Sequence, residues 1–467
     1  MRLTVPEPKI DLYNDGFADH DQLDRKTTGD KLSDLVERID DPMVIALDGA
    51  WGSGKSFFLK CWVGEHLKRK ENTTQTVYFD AFEHDFLDDP LIALTGAIAE
   101  RFESAESREE DQKSERSKKI KKAAWAVGKG ALRIGASVAT VGATEALSDM
   151  GDAVANAVGD EARTFLSSDI GNGEAEKFWT AHEARIAAMK AFRIALTELT
   201  KPVTEDQASE DDRLRVGNPT RKLVVVIDEL DRCRPDYALS LLEIIKHFFN
   251  VPGVHFVLGV NLTELQNSVR ARYGSGVDAD RYLRKFYQAA IALPNSWSTQ
   301  SSSTIVSDYF EFCSDQLSLR EKRVWGDLKL HVTAANAAGK LSLRDLEHIA
   351  AIAAITPELP ARVPETYGAL LGGLIVLKAI KPVWIDRVRN RNLRFDEFVT
   401  IFAFKKVWFD KHHHEDLSGF WKAALGESLD EGSLQGTVFQ ERGRVAPDFD
   451  ELIPKIVDNY LNAFQLS

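Results

Sequence analysis

At 467 residues the chain is long enough for two to four domains, and with 44% hydrophobic and 28% charged residues it is neither disordered throughout, collagen-like nor a disulfide scaffold. A formal net charge of −13 argues against the whole chain binding a polyanion, so any nucleic-acid contact would have to be local. Cys61, Cys233 and Cys313 are an odd set, far apart and without C-x-x-C spacing, as expected of neutral thiols in a reducing compartment with no structural zinc. The N-terminus lacks a basic flank followed by an apolar run, and no uncharged apolar run reaches the length of about 18 residues that a span needs. A cytoplasmic protein is the expectation.

The first predicted element is a short apolar strand, Val44 to Leu47, followed by a glycine-rich turn and an amphipathic helix. A second strand, Thr76 to Asp80, leads into AFEHDF and then a helix over about 90–102 with Pro90 at its start. Residues 103–122 are almost wholly polar, and 123–160 turn to Ala, Gly and Val. The spacing of Phe178, Ile186, Met189, Phe192, Leu196 and Leu199 is helical, and 201–220 reads as a polar loop. Leu223 to Ile227 is the strongest strand, five apolar residues ending in Asp228 and Glu229. A helix, a strand over 254–260, a helical stretch through 262–287 and an apolar segment at 289–294 complete an alternation of strands with helices. From about 298 onward only helices are expected, including an apolar one at 366–380 that is too short for a membrane span.

Residues 49–56, Gly49-Ala50-Trp51-Gly52-Ser53-Gly54-Lys55-Ser56, fit G-x-x-x-x-G-K-[ST] between a buried strand and a helix N-terminus. Glycines there let successive N–H groups face phosphate oxygens, and the helix end adds favourable partial charge. Lys55 is then placed for the β- and γ-phosphates and the Ser56 hydroxyl for one Mg²⁺ position. The strand that ends in Asp228 and Glu229 supplies the matching acids, Asp228 for Mg²⁺ through water and Glu229 to polarise an attacking water.

These residues carry a resemblance. DGAWGSGKSFFL, with Trp51 inside the loop and Phe57 after it, LVVVIDELDRCRPDYALSLLEIIKHFFNVPGVHFVLGVN and RYLRKFYQAAIALP together resemble the KAP family of P-loop NTPases, in the STAND-like branch of the AAA+-related ATPases, over roughly residues 17–295. The resemblance implies that Lys55 and Ser56 are the Walker A lysine and hydroxyl, that Asp228 and Glu229 are the Walker B acids, and that Asp231-Arg232-Cys233 is structural or lies at a subunit edge. It implies a γ-phosphate sensor at Asn261, for which the alternative is a helix cap. Arg284 or Lys285 is implied as a basic group acting on a neighbour's nucleotide, against a solvated helix face. Arg344, in the weaker echo LSLRDLEHI, is implied as a lid arginine, against a surface salt bridge. Asp24 and Arg25 resemble the family's N-terminal segment.

Lys55 and Asp228 lie about 170 residues apart, far more than one β-α-β unit of roughly 30 residues requires, so the core is interrupted. The longest uncharged run in 123–160, Ile134 to Thr144, is too short to span a bilayer. Ala131, Gly135, Ala139 and Ala143 form a small-residue stripe, and seven Lys and Arg residues lie between Arg116 and Arg133. A packing hairpin, a membrane-surface contact through 116–145 and a local nucleic-acid contact all remain open for this stretch. In the tail, Arg387, Arg389, Arg391 and Arg394 are expected to be solvated or salt-bridged, and His412-His413-His414 point different ways on a helix and form no metal site alone.

The expected fold is α/β. Residues 1–102 and 221–297 make a parallel P-loop NTPase sheet flanked by helices, 103–220 an inserted helical segment and 298–467 an α-helical lid or effector domain. The expected ligands are ATP and Mg²⁺, with ATP favoured because no N-K-x-D guanine signature lies near Val260-Asn261-Leu262-Thr263. The expected partners are a second copy of the chain and another protein. The leading function is an ATPase driving a conformational or assembly switch, and the resemblance adds phage exclusion or antiviral defence. The competing function is a nucleotide-gated scaffold that does not hydrolyse.

Overall fold

The computed structural model describes residues 4–106, 189–200, 218–293, 302–339, 341–404, 411–427 and 448–463, apart from 7, 19, 22, 71–73, 88, 191, 198 and 249. The basic stretch and the Ala/Gly/Val-rich stretch between Arg116 and residue 160 lie outside the described residues.

Five strands, β1 Met43–Asp48, β2 Thr74–Asp80, β3 Lys222–Asp228, β4 Val254–Val260 and β5 Ala289–Ala292, form one sheet in the order β2-β3-β4-β1-β5. Every pairing is parallel. β3 and β4 are buried along their whole length, as continuous β-branched runs demand when both faces are covered. Alternate residues go to opposite faces: Val224 and Val226 join Phe58, Trp62 and Leu32 under helices α1 Lys26–Arg38 and α2 Lys55–Leu67. Leu223, Val225 and Ile227 join Leu94, Phe192, Leu196 and Leu241 on the other face, beneath α3 Pro90–Glu106 and α4 Pro235–Phe248. Lys222, buried at the start of β3, donates to the carbonyls of Val36 and Ile39 and pairs with Asp40 at 3.0 Å, closing the C-terminus of α1.

Five strands fall where the apolar runs place them. The continuous helical stretch expected over 262–287 is instead two helices, α5 Leu262–Tyr273 and α6 Ala279–Leu283. Gly274 ends the first with φ of +92°, and the Asp278 carboxylate starts the second by accepting from Arg281 N.

Beyond β5 the described elements are helical. They include α7 Ser302–Gln316, α8 Trp325–Ala337, α9 Leu343–Ile355 and α10 Glu365–Ile380. These share a core through Phe310, Leu328, Leu346, Leu371, Leu374 and Trp421, and Leu23 from the N-terminal segment packs into it. The apolar α10 lies at its centre, so close to α8 that a Cβ on Gly372 would sit 2.9 Å from Leu328 N. Arg387, Arg389, Arg391 and Arg394 pair with Glu397, Asp458, Asp450 and Asp396 respectively. The side chains of His412, His413 and His414 lie outside the described residues. Among the described residues no helix is long and apolar enough to cross a membrane.

Candidate functional site

The C-terminal ends of β1, β3 and β4 lie level, with Asp48 beside Val260 and Asp228 beside Gly259. Residues 49–54 leave β1 at this edge, tied to β4 by Gly49 N donating to Val260 O at 3.1 Å. Gly52 and Gly54 have φ of +74° and +79°, the left-handed turns that bring the loop round to the start of α2. Lys55 is buried, and its Nζ lies along the inside of the loop, donating to Gly49 O at 2.6 Å and Ala50 O at 3.3 Å. Burial lowers its pKa, opposed by Asp231, Asp228 and Asp48. Ser53 is buried and its hydroxyl has no hydrogen-bond partner among the described residues, while Phe57 packs partly buried against the α2 side of the sheet.

The acids at the end of β3 meet this loop. The Ser56 hydroxyl donates to Glu229 Oε1 at 3.2 Å and lies close enough to Asp228 to favour its charged form. Asp228 is fully buried: Oδ2 accepts from the Tyr78 hydroxyl at 2.7 Å and Oδ1 from Glu229 N at 2.9 Å. Burial nevertheless raises its pKa, and Asp80, beside it in the β2–β3 register, adds to that rise. Glu229 takes φ of +57°, an uncommon conformation for a side chain of its size, and pairs with Arg232 at 2.9 Å. Its pKa is also raised by burial, with Arg232 opposing and Asp228 and Asp80 reinforcing.

Trp51, in the loop and partly exposed, donates its indole N–H to buried Asp231 at 2.6 Å, tying the loop to the turn after β3. Cys233 is buried in that turn, and burial pushes its thiol pKa up, as it does for Cys61 and Cys313, both to about 12.

The helical region reaches the loop through the start of α9. Ser342 and Asp345 form a capping box there, and Leu343 N donates to Gly52 O at 3.1 Å. Arg344 is exposed at the same place, its Cβ 2.9 Å from where a Cβ on Gly52 would lie. Asn261 sits at the end of β4 with its side-chain oxygen accepting from Thr263 N at 3.1 Å and Glu264 N at 3.4 Å, so it caps α5. Arg284 is exposed and paired with Asp280 at 2.7 Å, and Lys285 lies 4.9 Å from the Tyr282 ring. The structure thus brings Lys55, Ser56, Asp228 and Glu229 together and sets Arg344 beside Gly52 of the same loop, while Arg284 pairs with Asp280 of its own helix.

Three contributors escaped the sequence reading. Tyr78 and Asp80 come from β2, where only the acid at a strand end gave a signal. Gly259 on β4 makes room for the site: a Cβ there would lie 2.6 Å from Asp228 Oδ1 and 2.4 Å from Leu59 Cδ1. Nothing in the pattern VHFVLGV marks that glycine as the neighbour of an acid.

A parallel sheet in this order, with a glycine-rich phosphate loop on one strand and paired acids on another, is a P-loop NTPase core. The family model described as the KAP family P-loop domain matches residues 25–399, and the chain belongs to that family. Among solved structures, the Aeropyrum pernix ORC2 protein in ADPNP–ADP complexes is similar over 94% of this chain and 95% of that one, at 11% identity and a TM-score of 0.31. No curated protein matches the chain.

Proposed function

We propose that the protein binds ATP with Mg²⁺ and hydrolyses the β–γ anhydride, using the cycle to change how its helical region sits on the phosphate loop. The observation that carries this reading is the meeting of Ser56 with Glu229 and Asp228 directly beside the buried Lys55. ATP is favoured over GTP because no guanine signature follows β4.

The donor set fits Mg²⁺. Ser56 and Asp228 offer hard oxygen ligands, and burial raises the Asp228 pKa despite the hydrogen bonds it accepts, so a nearby cation would favour its charged form. Mg²⁺ is commonly held by one or two carboxylates together with substrate phosphates, which matches the Ser56 and Asp228 donors. When bound, Mg²⁺ would neutralise charge on the β- and γ-phosphate oxygens. Lys55 leaves its own loop carbonyls for those oxygens. Glu229, its pKa raised by burial, orients a water and accepts its proton as the water oxygen attacks the γ-phosphorus and ADP leaves with the bridging oxygen. Arg344, exposed beside Gly52 at the start of α9, is proposed as a lid arginine that contacts the nucleotide, and Asn261, whose Oδ1 caps α5, as a γ-phosphate sensor through its amide nitrogen.

In the same proposal the active species is a homo-oligomer. Arg284, exposed and joined to Asp280 by a surface ion pair of small worth, is then available to a neighbour's nucleotide. Phage exclusion is the setting the family suggests, with a protein partner as trigger. The test is Glu229→Gln in purified protein: ATP stays bound, phosphate release stops, and the mass measured with a slowly hydrolysed analogue matches the ATP-bound wild type. Absence of phosphate release from the wild type, alone and with cell extract, would favour a scaffold that binds without hydrolysing.

A further inference from the structure

Arg25 is the residue before α1, and its side chain is buried to 2% exposure against the phosphate loop. Its Nη1 donates to Gly54 O at 3.4 Å, and a Cβ on Gly54 would lie 3.0 Å from the same nitrogen. Among the described residues Nε and Nη2 have no hydrogen-bond partner and no carboxylate pairs with the guanidinium. The nearby Asp21 carboxylate is committed to backbone: Oδ2 accepts from Arg25 N at 2.7 Å and Lys26 N at 2.9 Å, and Oδ1 from Leu23 N at 3.1 Å. Leu343 of α9 closes the other side, its Cδ1 3.1 Å from where the Gly54 Cβ would be.

A buried, unpaired cation is costly, and one placed at a helix N-terminus opposes the helix dipole. Arg25 does both at the start of α2, where Gly54 is the N-cap. The arrangement becomes favourable when an anion occupies that helix end. Gly54 C=O and Lys55 N–H belong to one trans peptide and point in opposite directions, so a cationic donor on the carbonyl orients and polarises an N–H at the helix start.

We propose that Arg25 is a positioning residue of the phosphate loop: its buried guanidinium holds the Gly54–Lys55 peptide from behind and adds a second positive charge behind the polyphosphate site at the start of α2. This rests on the reading of that site as a nucleotide site. Arg25 touches no phosphate; it acts through the loop peptide and through its field.

The experiment compares wild type, Arg25→Met and Arg25→Lys for binding of ATP and of inorganic tripolyphosphate by calorimetry, and for thermal unfolding without ligand. Arg25→Met should weaken both ligands by about tenfold, with the same ratio at low and high salt because the charge is buried. Its unliganded midpoint should equal or exceed that of the wild type, which loss of a merely structural residue would not produce. Arg25→Lys should recover most of the affinity. A lower unliganded midpoint with unchanged affinity, or a Lys variant no better than Met, overturns the proposal. If Arg25→Met does not fold, Arg25→Gln against Arg25→Lys is read in the same way. Failure of the wild type to bind either ligand would instead refute the nucleotide site itself.

Discussion

Gly259→Ala tests whether the acid pocket is built as tightly as its geometry implies. The new methyl would lie 2.4 Å from Leu59 Cδ1 and 2.6 Å from Asp228 Oδ1, both in fully buried residues. Forcing a methyl into such a site costs about 1–3 kcal/mol. Moving Asp228 aside also weakens its bonds from Tyr78 and Glu229 N, each worth about 1 kcal/mol or more. Urea unfolding should therefore show a loss of about 2–4 kcal/mol. Calorimetry should show ATP binding that no longer gains from Mg²⁺, with binding in EDTA little changed, since the displaced group is a proposed metal ligand. Wild-type stability together with wild-type Mg²⁺ dependence in Gly259→Ala would refute the reasoning.

Other outcomes follow from single contacts. Arg232→Ala removes the cation that lowers the Glu229 pKa, so the acidic limb of the hydrolysis pH profile should move to higher pH; an unmoved limb would separate Glu229 from the proton transfer. Asp231→Ala frees the Trp51 indole, and ATP affinity should fall several-fold with altered Trp emission, read by fluorescence titration. Burial raises Asp327 to about 6, with Glu365 adding to it, so the folded form keeps its proton where the unfolded chain has lost it. Stability is lost as pH rises from about 4 to about 6, and Asp327→Asn should stabilise the protein by about 1–3 kcal/mol at pH 7.5 and by little at pH 4. Trp421→Phe removes the 2.8 Å bond to His331 Nε2 inside the helical core and should cost about 1–3 kcal/mol by denaturation.

What was legible in the sequence is what lies contiguously in it. The phosphate loop needs its glycines and lysine on successive residues, and the β3 acids follow a run of β-branched residues, so both could be read directly. The five strands were visible because burial on both faces demands unbroken apolar runs such as LVVVI and VHFVLGV. Partnerships across the fold were not legible. Tyr78 and Asp228 are 150 residues apart and meet only because β2 and β3 are neighbours, an order no local pattern specifies. Leu343 reaches Gly52 only through the packing of the helical region, and for Arg25 the resemblance gave a place in the N-terminal segment but neither its burial nor its contact with Gly54. The break at Gly274 was missed because the apolar spacing on either side is helical, while the glycine's positive φ is set by the turn.

The central claim is that residues 49–56 hold the phosphates of ATP, and equilibrium binding of ATP with Mg²⁺ to Lys55→Ala beside the wild type tests it most directly. Removing a charged donor from the phosphate site should weaken binding by about tenfold or more while circular dichroism stays unchanged. Equal affinity in the two folded proteins would contradict the assignment.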